Sequence, residues 1–186
     1  MSEEQDHSVG YIISERLILR PLIPEDNWQM AAIRSDPEVN RYIQREGYLG
    51  LPAAEAFINK IISSVAAGES FYWAICMKED DKLIGTACLW NIDKTTGQAE
   101  LGYELLPAMQ GKGIMTEAVE QVIRVAFNEL DFKKIVAVTN RLNQKSVNLL
   151  KRFGFIEADA SIFHDIQPDE AVFVLAQPKT KRPANK

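Results

Sequence analysis

Cysteine and histidine are scarce in this chain of 186 residues, two of each, and the scarcity excludes several kinds of chemistry. Cys76 and Cys88 stand in apolar, strand-like runs and form no Cys-x-x-Cys pair. Neither has a histidine that the sequence can place beside it, so a covalent thiol intermediate has no support. They read as core thiols of a reducing compartment, and no metal ion is expected. Long apolar runs are missing too. None reaches the roughly 20 residues of a membrane-spanning helix, and the polar opening Met1 to His7 is unlike a secretory signal. The chain is therefore expected in the cytoplasm, off the membrane. An excess of positive charge is also absent: 21 Lys and Arg face 26 Asp and Glu, a net charge of −5. Nothing then draws the chain to nucleic acid or to an anionic bilayer, and a cationic substrate is favoured instead. No internal repeat, low-complexity linker or compositional shift marks a second domain. Residues 11–177 read as one domain, a monomer or homodimer, between a flexible polar tail at 1–10 and a basic tail at 178–186.

What the chain does have is a pair of glycines between a strand and a helix. Gln98 to Leu106 alternates like a half-buried strand and stops at Pro107. Beyond it, Met115, Ala118, Val119, Val122, Ile123, Ala126, Phe127 and Leu130 recur at three- and four-residue steps, one buried helix face. The segment between, Met109-Gln110-Gly111-Lys112-Gly113-Ile114-Met115-Thr116, has the making of a phosphate cradle. Its glycines permit positive φ and close approach, and the first-turn N–H groups of the helix lack intrahelical partners. A diphosphate would meet fixed donors and the positive end of the helix dipole. Two familiar loops do not fit. A dinucleotide fingerprint needs a third glycine where Thr116 stands, and a Walker loop needs a hydroxyl directly after Gly-Lys.

The remaining pattern predicts a mixed α/β domain. A strand over Leu17 to Arg20 leads into a helix capped near Pro24-Glu25-Asp26, and a second helix runs from about Pro52 to Ala66. Phe71 to Met77 and Lys82 to Trp90 pair around a turn at Glu79 to Asp81. A turn at Asp93 to Gly97 then brings in the strand bearing Glu100 and Glu104, completing an antiparallel meander. Lys134 to Thr139 is reached by a crossover and should lie parallel to that strand, and Ala171 to Leu175 is the last strand. Gly102 hints at a bulge that bends its strand outward, or is a small residue under a packed helix.

Gln110-x-x-Gly113-x-Met115 resembles the Gln/Arg-x-x-Gly-x-Gly/Ala acyl-coenzyme-A loop of the GNAT N-acetyltransferases. Met115 departs from the last position and adds bulk near the phosphates, yet Gly-x-Gly-x-Met-Thr-Glu-Ala is similar to the version in the RimJ/RimL type. Ser14-Glu15-Arg16-Leu17-Ile18-Leu19-Arg20-Pro21, Ile84-Gly85-Thr86-Ala87, Ala99-Glu100-Leu101-Gly102-Tyr103 and the run from Asn143-Gln144-Lys145-Ser146 to Gly154-Phe155 resemble the same type. The resemblance covers about Ile13 to Leu175. It implies the GNAT fold, a mostly antiparallel central sheet with a splayed parallel strand pair flanked by helices, and acetyl-CoA as cosubstrate. It also implies that Gln110, Gly111, Lys112, Gly113, Ile114, Met115 and Thr116 cradle the phosphates. Leu105 and Leu106 would then pair with pantetheine in the wedge between the parallel strands. Asn143 and Ser146 have two readings: caps or first-turn residues of their helix, or, by the resemblance, an amide that steadies pantetheine and a hydroxyl that protonates the departing thiolate.

Acetyl transfer to an amine needs a polarised carbonyl and a route for the amine proton. A backbone N–H near Leu105 would serve the oxyanion. Glu104 is the first choice of base and Glu100 the second, because they share a strand face leading to the thioester; both could also attract the substrate ammonium. His164 and Trp90 are candidates for the acceptor pocket, while Trp28, Trp73, Tyr42 and Tyr103 read as core. The resemblance points to a primary amine as acceptor, either a protein N-terminus or a small amine. A non-catalytic acyl-CoA-binding module on the same fold is the alternative.

Overall fold

The structure, a computed structural model, describes residues 10–43, 45 and 50–178. The expected tails, 1–10 and 178–186, lie outside it except for Gly10 and Pro178. Eight strands form one sheet: β1 (Ile12–Ile13), β2 (Leu17–Arg20), β3 (Phe71–Met77), β4 (Asp80–Asp93), β5 (Gln98–Leu105), β6 (Lys134–Asn140), β7 (Ile156–Ala158) and β8 (Glu170–Ala176). Their order is β1-β2-β3-β4-β5-β6-β8-β7, and every pairing is antiparallel except β5 with β6. One face carries α1 (Asn27–Ser35) and α3 (Gly50–Ala66) over Met30, Ile33, Ala54, Ile58, Ala74 and Cys76. The other carries α4 and α5 (Ile114–Asn128 and Gln144–Arg152) over the larger core around Trp73, Leu89, Leu101, Val122 and Phe173. No helix among the described residues is long and apolar enough to cross a membrane.

Several expectations shift for local reasons. A short helix, α2 (Pro37–Asn40), follows α1, because Asp36 accepts from the N–H groups of Glu38 and Val39 and Pro37 takes the first turn. The β3–β4 hairpin turns at Lys78-Glu79, one residue earlier than expected, and β4 extends to Asp93. The buried face of α4 includes Ile114 and Val125, while Met115 and Ile123 only rest against the core. Trp28 is 70% exposed on α1 and is not a core residue.

Gly102 makes no bulge. It pairs in regular register with Cys88, and the irregularity falls later, between Trp90 and Asp93. Its cross-strand neighbour favours glycine: a Cβ would stand 2.9 Å from Cys88 Sγ, and the thiol would have to shift. The outward path of β5 arises elsewhere. β5 and β6 pair only at Gln98↔Lys134, Ala99↔Ile135 and Glu100↔Val136. Beyond Glu100 they part, β5 continuing to Leu105 and β6 to Asn140, and the sheet opens into a wedge.

Candidate active site

The phosphate loop takes the form its glycines predict. Gly111 and Gly113 both have φ of 75°, and Gly113 caps α4 with no side-chain hydrogen bond, leaving the first-turn N–H groups to an outside partner. Met115 lines the cleft and packs against the core. Gln110 folds back: its amide donates to the Leu105 carbonyl at 3.1 Å and accepts from Lys145 Nζ at 2.9 Å. Loop, strand and α5 are thereby tied together on the edge of the wedge.

The direction of the wedge groups follows from one bond. Leu106 N–H donates to the Ile84 carbonyl of β4 at 3.0 Å. Antiparallel alternation then turns the N–H and C=O of Leu105 and Tyr103 away from β4, toward the wedge. Leu106 N–H, expected to face a ligand, is already used within the sheet, and Tyr103 takes its place. That tyrosine, read from sequence as core, lines the cleft and meets Ser146 hydroxyl to hydroxyl at 2.8 Å. Burial pushes its phenol up to about 12. Asn143 caps α5 by accepting from Ser146 N–H at 3.2 Å, so the capping reading holds, and its side-chain NH₂ is left for another partner. Ser146 is buried. The Tyr103–Ser146 pair can pass a proton into the wedge.

Glu100, Gly102 and Glu104 alternate onto the opposite face of β5, across from Trp90, Cys88 and Thr86. The two carboxylates meet different surroundings. Glu104 is buried in ion pairs with Arg45 and, at 3.9 Å, Arg34 Nη1. Arg45 Nη2 donates to Oε2 and Thr86 Oγ1 to Oε1 at 3.5 Å, so both oxygens of the carboxylate already have partners. Glu100 accepts from Asn91 Nδ2 at 3.2 Å, and burial pushes its carboxyl above the usual range, with Glu170 adding to the rise. Trp90, 48% exposed, and exposed His164 line the same cleft. Cys88 lines it too, but burial pushes its thiol up to about 12, which leaves little thiolate near neutral pH. The cleft has a volume of about 2220 Å³, beyond the roughly 300–1,000 Å³ of one small-ligand pocket, and reaches from the loop through the wedge to both carboxylates. It can hold two substrates side by side.

Sequence reasoning missed Arg45, which faces Glu104 across 59 residues of chain with no local pattern to join them. Tyr103 was within reach, since its odd position on an even-numbered carboxylate strand puts it on the other face.

Residues 16–156 match the family described as an acetyltransferase (GNAT) domain. The uncharacterized N-acetyltransferase p20 of Bacillus licheniformis is 33% identical over 144 residues, 77% of this chain and 81% of that protein. The [ribosomal protein uS5]-alanine N-acetyltransferase of Escherichia coli is 26% identical over 152 residues, 77% of each. Mycobacterium smegmatis RimJ, solved in complex with CoA-disulfide, aligns with a TM-score of 0.77 over 89% of this chain and 84% of that one, at 16% identity.

Proposed function

This chain belongs to the GNAT acetyltransferase family, and on that premise we propose that it moves the acetyl group of acetyl-CoA directly onto a primary amine, a protein N-terminus or a small amine. The observation that carries the reading is the glycine loop at the start of α4 opening into the β5–β6 wedge, with a carboxylate on one side and a hydroxyl pair on the other. The E. coli relative, by its name an enzyme acting on an alanine of ribosomal protein uS5, supports a protein N-terminus as one acceptor class.

Loop N–H groups and the α4 dipole hold the coenzyme diphosphate. The N–H of Tyr103 or Leu105 stabilises the oxygen of the tetrahedral intermediate. The amine nitrogen bonds to the acetyl carbon, its proton leaves to Glu100 directly or through water, and the carbon–sulfur bond breaks. Ser146, backed by Tyr103, gives a proton to the thiolate, and exchange with solvent takes the proton from Glu100 and restores one to the hydroxyl pair. Glu104 is assigned to structure, as the counter-ion of Arg45, rather than to proton transfer.

Acetyl-CoA at about a hundred times its dissociation constant adds roughly 2.7 kcal/mol, a rise in melting temperature of about 5–10 °C for a chain of this size. ATP and NAD should give none. Thiol release with a panel of amines and peptides completes the test. Stabilisation without thiol release from any amine would identify an acyl-CoA-binding module instead, and no stabilisation would remove the coenzyme site.

Glu100→Gln should lower kcat by about 100-fold or more, the ordinary worth of a general base. In the wild type, activity should fall as pH drops through the Glu100 pKa, at a pH above that of an exposed glutamate. Stability should move the other way. Burial raises the folded pKa above the unfolded one, so the ionised group costs stability once pH exceeds the unfolded value near 4.5. Glu100→Gln should therefore melt slightly higher at pH 7, by less than about 4 °C, and the gain should vanish below that value. Thiolate is a good leaving group, so Ser146→Ala and Tyr103→Phe should cost less than Glu100→Gln. Wild-type kcat in Glu100→Gln would transfer the proton to another group.

A further inference from the structure

Behind the phosphate loop, Arg16 and Glu117 form a clasp that the acyl transfer above leaves unexplained. Arg16 stands just before β2 and Glu117 in the first turn of α4, 101 residues apart. The backbone N–H of Arg16 and the hydroxyl of Ser14 both donate to Glu117 Oε1 at 2.7 Å, and Arg16 Nε donates to Oε2 at 2.7 Å. Burial opposes the charge on Glu117, but these donors hold its carboxyl below the usual range. With its guanidinium fixed in this way, Arg16 reaches the loop itself. Nη1 donates to the Lys112 carbonyl at 2.9 Å, and Nη2 lies 3.4 Å from where a Cβ on Gly113 would stand.

The consequence lies in the peptide between Lys112 and Gly113. In a planar trans peptide the C=O and the following N–H point in opposite directions. Turning the Lys112 carbonyl toward Arg16 therefore aims Gly113 N–H away from Arg16. Arg16 lines a hollow with Ser14, Glu15 and Glu120, none of which borders the cleft, while Gly113, Thr116 and Arg152 border both. The donor so aimed faces the cleft side. Glycines at 111 and 113 leave this loop with little stiffness of its own, so the restraint has to come from outside it.

We infer that Arg16 is a positioning residue for the coenzyme diphosphate: anchored by Glu117, it orients the Lys112–Gly113 peptide from behind the loop without touching the ligand. The inference rests on the acetyl-CoA reading above. It also gives a physical reason for two separated motifs, Ser14-Glu15-Arg16 and Thr116-Glu117, to occur in one chain.

The test is a comparison of dissociation constants for CoA and for pantetheine, which lacks the diphosphate. It uses the full chain as wild type, Arg16→Met, Arg16→Lys and Glu117→Gln, with the melting temperature of each unliganded protein measured alongside. Arg16→Met and Glu117→Gln should each bind CoA about tenfold or more weakly and pantetheine as the wild type does. Arg16→Lys should stay weak for CoA, because a compact ammonium lacks the rigid planar fork that reaches the carboxylate from one nitrogen and the carbonyl from another. Equal weakening for both ligands, or none, would overturn the inference. So would a loss in Arg16→Met that Glu117→Gln does not share, which would make Arg16 a direct phosphate ligand. A wild type that binds no CoA fails the functional reading first, and is recognised by that.

Discussion

Asp26→Ala should lower the melting temperature by about 6–12 °C. The carboxylate of Asp26 holds Arg20 by a two-pronged pair, Oδ2 to Nη1 at 2.9 Å and Oδ1 to Nη2 at 2.8 Å, and both side chains are almost fully buried. Oδ2 also accepts from Ile23 N–H at 3.0 Å, closing the turn that joins β2 to α1. Removing one partner of such a pair leaves a buried, uncompensated cation at a cost of about 3–5 kcal/mol. Here the lower end applies, since Arg20 keeps Asp81, whose carboxylate accepts from Nε at 2.8 Å. About 3 kcal/mol corresponds to the stated shift for a chain of this length. Asp81 is the internal control. Its side chain is 72% exposed, so Asp81→Asn should cost less than about 1 kcal/mol. Thermal unfolding of the two variants decides the matter: similar losses would mean that burial is not the source of the effect.

Gly113→Val should abolish useful coenzyme binding, weakening the acetyl-CoA dissociation constant by about 100-fold or more, while the domain stays folded. At φ of 75° an L-residue costs about 1–2 kcal/mol, and a β-branched side chain is a genuine outlier there. Its Cβ would stand in van der Waals contact with Arg16 Nη2, at 3.4 Å, so the γ-methyls of valine have to be fitted beside the group that orients the Lys112 carbonyl. Relieving the backbone strain by rotating the peptide would move the Gly113 N–H. Gly111→Ala separates strain from crowding. Gly111 has the same φ, but a Cβ there meets nothing within 4 Å. Its cost should be the backbone strain alone, and its loss of affinity clearly smaller. Calorimetric titration of both variants with acetyl-CoA reads the difference, and a Gly113→Val protein that binds like the wild type would refute the cradle.

The architecture was largely legible because it rests on periodicity and punctuation. A continuous apolar run marks β3 and alternation marks β5 nearly to the residue, the 3.6-residue period marks α4, and the two glycines mark the loop between β5 and α4. Resemblance in motifs spread along the chain then gave the family. The misreadings were of another kind. Gly102 suggests a bulge to anyone reading β5 alone, because the Sγ of Cys88 that excludes a Cβ lies on the neighbouring strand. Trp28 reads as core from its apolar ring, yet it stands on the outer side of α1. Leu106 reads as a wedge residue because the sequence does not say which backbone groups of a strand face which neighbour, and its N–H goes to Ile84 instead.

By itself, then, the sequence determined what depends on near neighbours: helix faces, strand alternation, the positive φ of Gly111 and Gly113, and the cap on α5 from Asn143. The parting of β5 from β6 after Glu100, the pairing of Tyr103 with Ser146, the hold of Arg45 on Glu104 and the clasp of Arg16 on Glu117 were decided by tertiary structure alone. Each of these joins groups far apart in the chain, and the strength of a charge or hydrogen bond depends on distance in space and on burial. Two glutamates four residues apart on one strand are equivalent in sequence. Packing made one of them the counter-ion of an arginine and left the other a carboxyl of raised pKa, bonded to Asn91 in the cleft.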